Sequence, residues 1–279
     1  MARFLVFQSD FGLVDGAVSA MKGVAYKVSP ELILGDVTHD IAPYDVFEAS
    51  YRLYQTAEYW PAGTVFVSVV DPGVGSSRKS VAARLSSGQY IVTPNNGTLT
   101  HLAAFVGIEE LREIEERTNR LQDSEKSYTF HGRDVYAYAG ARLASGAITF
   151  EEMGPELELS ELVTLKLGEV TRTEKSVTGQ IDILDVRFGS LWTGIPFDDF
   201  KALGASFGDT IDVMICHNGA PAYKNIVTYG RCFADVPVSM PVLYMNSVNH
   251  MALAINQGSF AKAFAIGTGP TWTVTLTVL

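Results

Sequence analysis

An aspartate and an arginine flank a glycine turn that directly follows an apolar run in this sequence. Residues 64–70 are mostly β-branched or aromatic, Asp71 follows them, and a Pro-Gly-Val-Gly turn leads on to Arg78. The run predicts a buried parallel strand because both of its faces are apolar, and the Pro-Gly segment must end that strand. A carboxylate is therefore expected at the carboxyl end of a core strand, where open α/β sheets bind ligands.

Two other groups could act together with this pair. Asp10 ends the first predicted strand, and His131 precedes a predicted helix over 135–144. An arginine pins a carboxylate by bidentate pairing, and a carboxylate beside a histidine can orient a water molecule and accept its proton. Each residue alone is more often structural, Asp71 as a turn carboxylate, Arg78 as a surface charge and His131 as a capping group, so the residue types leave the chemistry open.

A metal site is another use of the same side chains. Asp10, Asp71, His39 and His131 could in principle bind magnesium or zinc, but no paired-ligand spacing such as His-x-x-x-His supports this. The glycine turn fits neither a Walker pattern nor a dinucleotide fingerprint, and no Gly-x-Ser-x-Gly elbow occurs. We therefore expect neither a metal nor a cofactor.

The composition argues against several classes of partner. The 279 residues carry a net charge of -10, with 47% hydrophobic and 19% charged residues, which is typical of a globular protein. Nucleic-acid binding needs basic patches, so we expect no nucleic-acid partner. No apolar run is long enough to cross a membrane, and residues 3–7 already form a strand pattern rather than a signal peptide, which predicts a cytoplasmic protein without a membrane partner. Cys216 and Cys232 are expected to be buried free thiols.

The hydrophobic patterns predict an α/β fold followed by a β-rich region. Strands over 3–9, 32–37 and 64–70 alternate with helices over 14–28 and 45–59, the order of a parallel sheet with crossover helices, and Asp45 is expected to cap the second helix. If the first and third strands are neighbours, Asp10 and Asp71 point into one crevice. A hairpin is expected over 80–92, and the charged stretch 108–128 is expected on the surface.

The predicted domain borders follow a change from alternating strand and helix patterns to short strand patterns. Residues 1–157 form the α/β N-terminal domain, 158–174 a polar linker, and 175–279 a C-terminal domain of short strands. Such runs with one short helix, over 197–203, are typical of an antiparallel barrel or sandwich.

Several motifs, taken in order, resemble one known family over nearly the whole chain. The family is the S-adenosyl-L-methionine (SAM) hydroxide adenosyltransferases, which are adenosine-forming SAM hydrolases related to the bacterial fluorinase and chlorinase. The motifs are Ser9-Asp10-Phe11-Gly12, Asp36-Val37-Thr38-His39-Asp40-Ile41, Val70-Asp71-Pro72-Gly73-Val74-Gly75, Pro94-Asn95-Asn96-Gly97, Phe130-His131-Gly132-Arg133-Asp134, Phe188-Gly189-Ser190 and Asn246-Ser247.

The resemblance implies a fold, an assembly and a reaction. It implies an α/β N-terminal domain with a C-terminal β-barrel, and a homotrimer whose active sites lie between subunits. The implied reaction is attack of water-derived hydroxide on C5′ of the ribose of SAM, giving adenosine and L-methionine. SAM is then a substrate and not a cofactor.

The resemblance also assigns roles to individual residues. The catalytic set falls on Asp71, Arg78 and His131. Asp10 would accept the ribose hydroxyls, Tyr44 would stack near the ribose, Asp185 would pair with the methionine ammonium, and Ser247 would hold its carboxylate. The other implied substrate contacts, including the walls of the adenine site, are Phe11, Asn96, Thr129, Phe188, Ser190, Trp192 and Phe233.

Two alternatives to this activity remain at the level of sequence. The first alternative is a halogenase. In fluorinase the positions of Asp71, Val74 and Gly132 resemble Tyr, Thr and Ser, and a carboxylate at Asp71 would repel a halide, which favours hydroxide transfer. The second alternative is an adenosine-binding or SAM-binding sensor with negligible turnover. It is motivated by three departures from the family pattern, Ser190, Gly194 and Asn249, in the region that would hold the base and the methionine.

Overall fold

The fold consists of two compact units. The computed structural model describes residues 3–279, and the first unit extends to Leu165 while the second runs from Lys166 to Leu279. The border between them falls inside the stretch that the sequence suggests as a linker. None of the helices in the described part of the chain combines the length and the apolar character that crossing a membrane requires.

The first unit is a mixed α/β unit built on one sheet. Its sheet has seven strands within residues 3–165, and their order across the sheet is β2-β1-β3-β5-β4-β6-β7. The strands are β1 (Phe4–Ser9), β2 (Ile33–Thr38), β3 (Val65–Val69), β4 (Ser80–Leu85), β5 (Tyr90–Pro94), β6 (Ile108–Glu113) and β7 (Glu156–Leu157).

The part of this sheet that carries the motifs is parallel. Strands β2, β1, β3 and β5 run parallel to one another, whereas β4 is antiparallel to β5, β6 to β4 and β7 to β6. Ser9 is in register with Val69, so the chain leaves β1 and β3 side by side at the same edge. The predicted α/β fold, with Asp10 and Asp71 at the ends of adjacent strands, is confirmed.

The helices cover the two faces of the sheet. They are α1 (Ala17–Val28), α2 (Val46–Thr56), α3 (Thr100–Phe105), α4 (Glu116–Asn119) and α5 (Tyr138–Ser145). Asp45 caps α2 as expected, since its side chain accepts a hydrogen bond from the backbone N–H of Glu48 at 2.8 Å. A π-helical turn over Gly132–Ala137 leads directly into α5.

Both faces of the central strand are buried, which explains its unbroken apolar sequence. Val65, Val67 and Val69 pack into one core cluster and Phe66 into the other. On the first face α5 approaches closely at Gly140, where a β-carbon would lie 2.5 Å from Cγ2 of Val67. The sheet therefore holds the loop that starts at Asp71 on a rigid support.

The prediction that the charged stretch 108–128 lies on the surface is wrong for its first part, whereas residues 122–128 are mostly exposed. Ile108–Glu113 forms β6, with Leu111 fully buried. The charged residues of β6 form ion pairs, as Glu110 does with Arg84 at 3.0 Å and Glu113 with Lys79 at 3.3 Å. The many charged residues of this segment did not suggest a strand, because their ion pairs form only near the edge of the folded sheet.

The second unit is a β-barrel, as the resemblance implied. Within residues 166–279, seven strands close into a ring in the order β10-β14-β13-β12-β11-β15-β9, with β9 pairing back to β10 and β8 added outside the ring. All neighbours are antiparallel except β12 and β13. The strands are β8 (Thr171–Arg172), β9 (Ser176–Asp185), β10 (Ser190–Pro196), β11 (Thr210–His217), β12 (Ala220–Tyr229), β13 (Pro241–Met245), β14 (His250–Ile255) and β15 (Gly269–Val278).

Two details of this unit differ from the sequence prediction. A second short helix, α7 (Phe260–Phe264), follows the expected α6 (Phe197–Lys201), and Ser259 caps it by accepting from the N–H of Lys262. Cys216 is half-buried and Cys232 is exposed. The expectation of two buried thiols was wrong. Cys216 lies on a strand, where apolar neighbours alternate between two faces, and Cys232 lies in the turn after β12.

Candidate active site

A cleft of about 280 Å³ opens at the carboxyl edge of the first unit's sheet. Loops after β1, β2 and β3 form one side of it, and the segment before the π-helical turn forms the other. The lining residues are Asp10, Phe11, Pro43, Tyr44, Val69, Asp71, Val74, Thr129, Phe130, His131 and Gly132. The parallel topology thus brings together residues that lie up to 122 positions apart in the sequence, from Asp10 to Gly132.

Asp71 lines this cleft and forms a buried, bidentate ion pair with Arg78, which lies behind it. Nε of Arg78 donates to Oδ1 of Asp71 at 2.9 Å, and Nη2 donates to Oδ2. Their side chains are only 5% and 11% exposed. The turn between them is closed locally, because the hydroxyl of Ser76 donates to the carbonyl of Gly73 at 2.7 Å. The carboxylate is consequently fixed in one orientation.

His131 completes this cluster from the opposite side. Nη2 of Arg78 lies 3.1 Å from Nδ1 of His131, and a guanidinium can only donate, so Nδ1 must accept. Burial lowers the pKa of His131, and the charges of Arg78 and Arg120 lower it further, while Glu116 and Asp71 act in the opposite direction. The ring is therefore held neutral with its proton on Nε2, an assignment that follows from the hydrogen-bond network.

Asp10 and Tyr44 lie together on the rim of the cleft. Oδ2 of Asp10 accepts a hydrogen bond from the backbone N–H of Tyr44 at 2.9 Å. Tyr44 has a φ of 70° and its ring is largely exposed. A left-handed conformation is unusual for tyrosine and is retained where the surroundings impose it, as is common at functional sites. Asp10 still has oxygen lone pairs available to a ligand.

The remaining predicted residues of the first unit divide into two groups. Phe11 and Thr129 line the cleft, and the ring of Phe11 packs edge-on against Phe130. Asn96 is not among the lining residues. Its side-chain N–H₂ donates to the carbonyl of Val70 at 2.9 Å, so it holds the backbone directly before Asp71.

The alternative metal set is not assembled. His39 is buried, with Nδ1 at 2.7 Å from the hydroxyl of Ser9 and Nε2 at 3.1 Å from Asp36, and it is not among the residues that line the cleft. Over residues 3–279, no group of three His, Cys, Asp or Glu side chains is arranged to hold a metal ion.

Three residues behind the cluster were missed by the sequence analysis. The hydroxyl of Ser80 accepts from Nη1 of Arg78 at 3.0 Å and lies 3.2 Å from Oε1 of Glu116 and 3.1 Å from the hydroxyl of Tyr136. Tyr136 is fully buried, which raises its pKa. Ser80 and Tyr136 could have been found from their closeness to the motifs, but Glu116 lay in the stretch misassigned to the surface.

The second unit contains a separate apolar pocket of about 620 Å³. Phe188, Ser190 and Phe233 line it together with residues 254–259. Phe188 is 70% exposed and Phe233 46% exposed, so both rings present open faces on which a flat ligand could stack. Asp185 lies at the end of β9 beside this pocket, and its carbonyl accepts from the N–H of Gly189 at 2.7 Å.

The other two predicted residues of this unit are placed differently. Trp192 is buried and does not line the pocket. Its indole N–H donates to the hydroxyl of Tyr244 at 3.3 Å, and the Tyr244 ring packs on Phe233. Trp192 therefore supports the pocket wall from behind. Ser247 is exposed in the turn between β13 and β14.

Two of the departures from the family pattern have structural reasons. A β-carbon at Gly194 would lie 2.9 Å from Oδ2 of Asp182, so the aspartate occupies the space of a larger side chain. Burial raises the pKa of Asp182 to about 7. Asn249 has a φ of 59°, a conformation that glycine and asparagine adopt most readily, so it can replace glycine in this turn.

Comparison with known proteins covers both units. Residues 5–154 match the SAM hydroxide adenosyltransferase N-terminal domain, and residues 179–273 match the corresponding C-terminal domain. The chain is 33% identical over 273 residues to an (R)-S-adenosyl-L-methionine hydrolase of Salinispora tropica, covering 98% of this chain and 97% of the relative. It is 28% identical over 295 residues to a fluorinase of Actinopolyspora mzabensis, covering 97% and 96%.

A solved structure agrees with these sequence matches. The crystal structure of an uncharacterized conserved protein from Thermotoga maritima superposes with a TM-score of 0.89 at 32% identity, over 98% of this chain and 99% of that one. The matched domains account for most of the chain. The aspartate and the histidine that the resemblance assigned to catalysis line the cleft, and the assigned arginine is bonded to both of them. The chain belongs to the SAM hydroxide adenosyltransferase family.

Proposed function

We propose that this protein hydrolyses S-adenosyl-L-methionine to adenosine and L-methionine by attack of water on C5′ of the ribose. The observation that carries the proposal is the buried cluster of Asp71, Arg78 and His131, in which Asp71 and His131 line a cleft together with Asp10 and Arg78 is bonded to both from behind. Relatives at 33% identity over the full length are named (R)-S-adenosyl-L-methionine hydrolases.

The chemistry requires little more than an oriented water molecule. A sulfonium is already a good leaving group, so no acid is needed at sulfur, and the electron pair of the C5′–S bond leaves with methionine. The task is to hold a water oxygen in line with that bond and accept its hydrogen bond, which is a proximity effect. Asp71 is held by Arg78 in one orientation and would accept from this water, and Asp10 would accept from the ribose hydroxyls, as acidic residues do in dinucleotide sites.

A halide is a poor alternative to water at this position. The carboxylate of Asp71 faces the cleft and would repel a halide ion in a site of low dielectric. A side chain at Gly132, which resembles a serine position in fluorinase, would bring its β-carbon within 3.2 Å of Phe11 and Val69. We therefore propose hydroxide transfer without a resident metal or cofactor.

Isotope labelling tests the reaction directly. Incubation with SAM in oxygen-18 water should place the label in the 5′-hydroxyl of adenosine and not in methionine. Because the relatives are named for the (R) form, both sulfonium epimers should be assayed separately. Unlabelled adenosine, or no turnover of either epimer, would contradict the proposal, and tight calorimetric binding of adenosine without turnover would support the sensor alternative. A chelator should leave the rate unchanged.

We also propose a homotrimeric, cytoplasmic protein that shares its active sites between subunits. The first unit carries the groups for the ribose and the water, and the second unit carries an apolar pocket suited to the base, so each unit supplies part of the machinery. Light scattering with size exclusion measures the mass of the assembly. A monomeric enzyme with full activity at nanomolar concentration would contradict this assembly.

A further inference from the structure

The nitrogen of His131 that points away from Arg78 has an unusual environment. Nε2 is fully buried and has no hydrogen-bond partner among the described residues. Because Nδ1 accepts from Arg78, the proton of the neutral ring is on Nε2. A buried N–H without a partner is costly, and nothing in the cleft accounts for its orientation.

Glu116 is the acidic group that faces this N–H. Oε2 of Glu116 lies 4.0 Å from Nε2 of His131, and the Glu116 side chain is 37% exposed whereas that of His131 is 6% exposed. The separation is too long for a direct hydrogen bond and is suited to a charge–dipole attraction or to one bridging water. Glu116 is therefore placed to favour the tautomer with hydrogen on Nε2.

The same carboxylate also reaches the arginine of the cluster. Oε1 of Glu116 accepts from the hydroxyl of Ser80 at 3.2 Å, and that hydroxyl accepts from Nη1 of Arg78 at 3.0 Å. Oε2 accepts from Nη1 of Arg120, directly after α4, at 3.0 Å, and this bond fixes the orientation of the carboxylate. Glu116 thus lies near His131 and is linked to Arg78 through Ser80, so it bears on two members of the catalytic set.

Glu116 does not belong to the substrate cleft. It lies on a separate polar groove of about 410 Å³, lined by residues 76–80, 113–116 and Pro155. Arg78 lines this groove and not the cleft, and it is connected to the cleft through its bonds to Asp71 and His131. A substrate in the cleft would not touch Glu116. Any effect of Glu116 on the reaction must therefore pass through His131 and Arg78.

We infer that Glu116 is a positioning residue for the proposed SAM hydrolysis, which orients His131 and Arg78 from behind by attracting the Nε2–H of the ring and by holding Arg78 through Ser80. The inference rests on the proposed function for its catalytic consequence, but the effect on the ring is a property of the free protein. The ring is kept in the form that can accept at Nδ1, and Arg78 stays aimed at Asp71.

The charge around His131 sets the expected pH effect. The charged groups that bear on the ring are Asp71, Arg78, Glu116 and Arg120, and its other titratable or charged neighbours are Tyr128, whose ring packs edge-on against it, Tyr136, Arg133 and Asp134. Burial lowers the pKa of His131, and Glu116 opposes this most strongly. Without the Glu116 charge, protonation of His131 should require a lower pH.

The test compares Glu116→Gln with Glu113→Gln. Both changes remove one negative charge from the same groove, but Glu113 pairs with Lys79 at 3.3 Å and not with the cluster. We expect Glu116→Gln to lower kcat by about 10- to 100-fold, the scale of a misaligned catalytic group, with KM within about 2-fold of wild type. The acid limb of its kcat/KM profile should move to lower pH, and Glu113→Gln should match wild type.

Nitrogen-15 NMR of the histidine rings gives a readout that needs no turnover. In the wild-type protein His131 should titrate as the Nε2–H tautomer, and Glu116→Gln should lower its pKa or mix its tautomers, while Glu113→Gln should do neither. Identical spectra and identical kinetics for the two variants would overturn the inference. A wild-type protein that releases no adenosine would overturn the proposed function instead, and the NMR comparison would still decide whether Glu116 holds the ring.

Discussion

Replacement of Asp71 by asparagine is the sharpest test of the site. The carboxylate receives two hydrogen bonds from Arg78, through Nε and through Nη2. An amide has one oxygen and one N–H₂ group, so one charge-assisted bond is lost and an amide hydrogen faces a guanidinium hydrogen. The volume of the side chain is nearly unchanged, so the variant probes charge and hydrogen bonding rather than packing.

The expected loss of stability follows from the burial of this pair. Both side chains are nearly buried, at 5% and 11% exposure. Breaking a buried pair costs about 3–5 kcal/mol, but one bond to the amide oxygen can persist and Arg78 keeps Ser80 and His131. We therefore expect a loss of about 2–3 kcal/mol, which lowers Tm by roughly 4–12 °C for a unit of this size.

The expected loss of activity is larger. An amide cannot accept the proton of the attacking water, and positioned general bases contribute about 10²–10⁴-fold. Adenosine release from SAM, followed by chromatography, measures the rate, and calorimetry with adenosine should give a Kd within about 3-fold of wild type because Asp10 and Tyr44 are untouched. The exposed Asp40→Asn serves as the control. Asp71→Asn with an unchanged Tm and more than about a tenth of wild-type turnover would refute this account of the site.

The other predictions concern the stability of each unit. The pKa of Asp182 is raised by burial from 3.8 to about 7, so folding binds a proton and stability falls as pH rises between these values, by at most about 4 kcal/mol. Asp182→Asn should remove most of that fall, and urea unfolding at about pH 5 and about pH 8 measures the free energy of unfolding of both proteins. The same loss of unfolding free energy between these two pH values in wild type and variant would contradict the prediction. Gly140→Ala should destabilise by about 1–3 kcal/mol because its β-carbon would meet Val67 at 2.5 Å, whereas Gly23→Ala in α1, with nothing within 4 Å, should stabilise by about 0.5–1 kcal/mol. Thermal denaturation compares the two, and equal effects would show that packing at Gly140 is not tight.

The sequence was informative where local pattern and topology agree. The apolar run before Asp71 and the alternation of strands and helices were enough to place Asp10 and Asp71 at one edge, because parallel neighbours end on the same side. Asp45 was identified as a helix cap from its type and position alone. These features depend on residues close in sequence or on rules of sheet topology.

What could not be predicted depends on contacts between distant residues. Glu116 reaches Ser80 across 36 positions, and the charged strand β6 is paired with β4, from which it is separated in the sequence by β5 and α3. His250 is buried, with Nδ1 2.8 Å from the carbonyl of Val248, and its sequence neighbours do not indicate this placement. Asn96 carries a motif, yet its side chain serves the backbone of Val70. Type and spacing suggested a role for such residues, but only the fold distinguishes a ligand contact from support.

The π-helical turn after His131 allows the orientation of His131 to differ from the one that the packing of α5 would impose. Such a turn amounts to one inserted residue, and one residue of an α-helix corresponds to about 100° of rotation. The packing of α5 on the sheet can thus keep its own register while His131 is turned toward the cleft. The carbonyl of Asp134, inside this turn, accepts from the N–H of Leu121 at 2.7 Å, which ties the segment that follows α4 to the same irregularity. A deletion of a single residue here would rotate the histidine away from Arg78 and release that tether, so the length of this short segment is itself a determinant of the site.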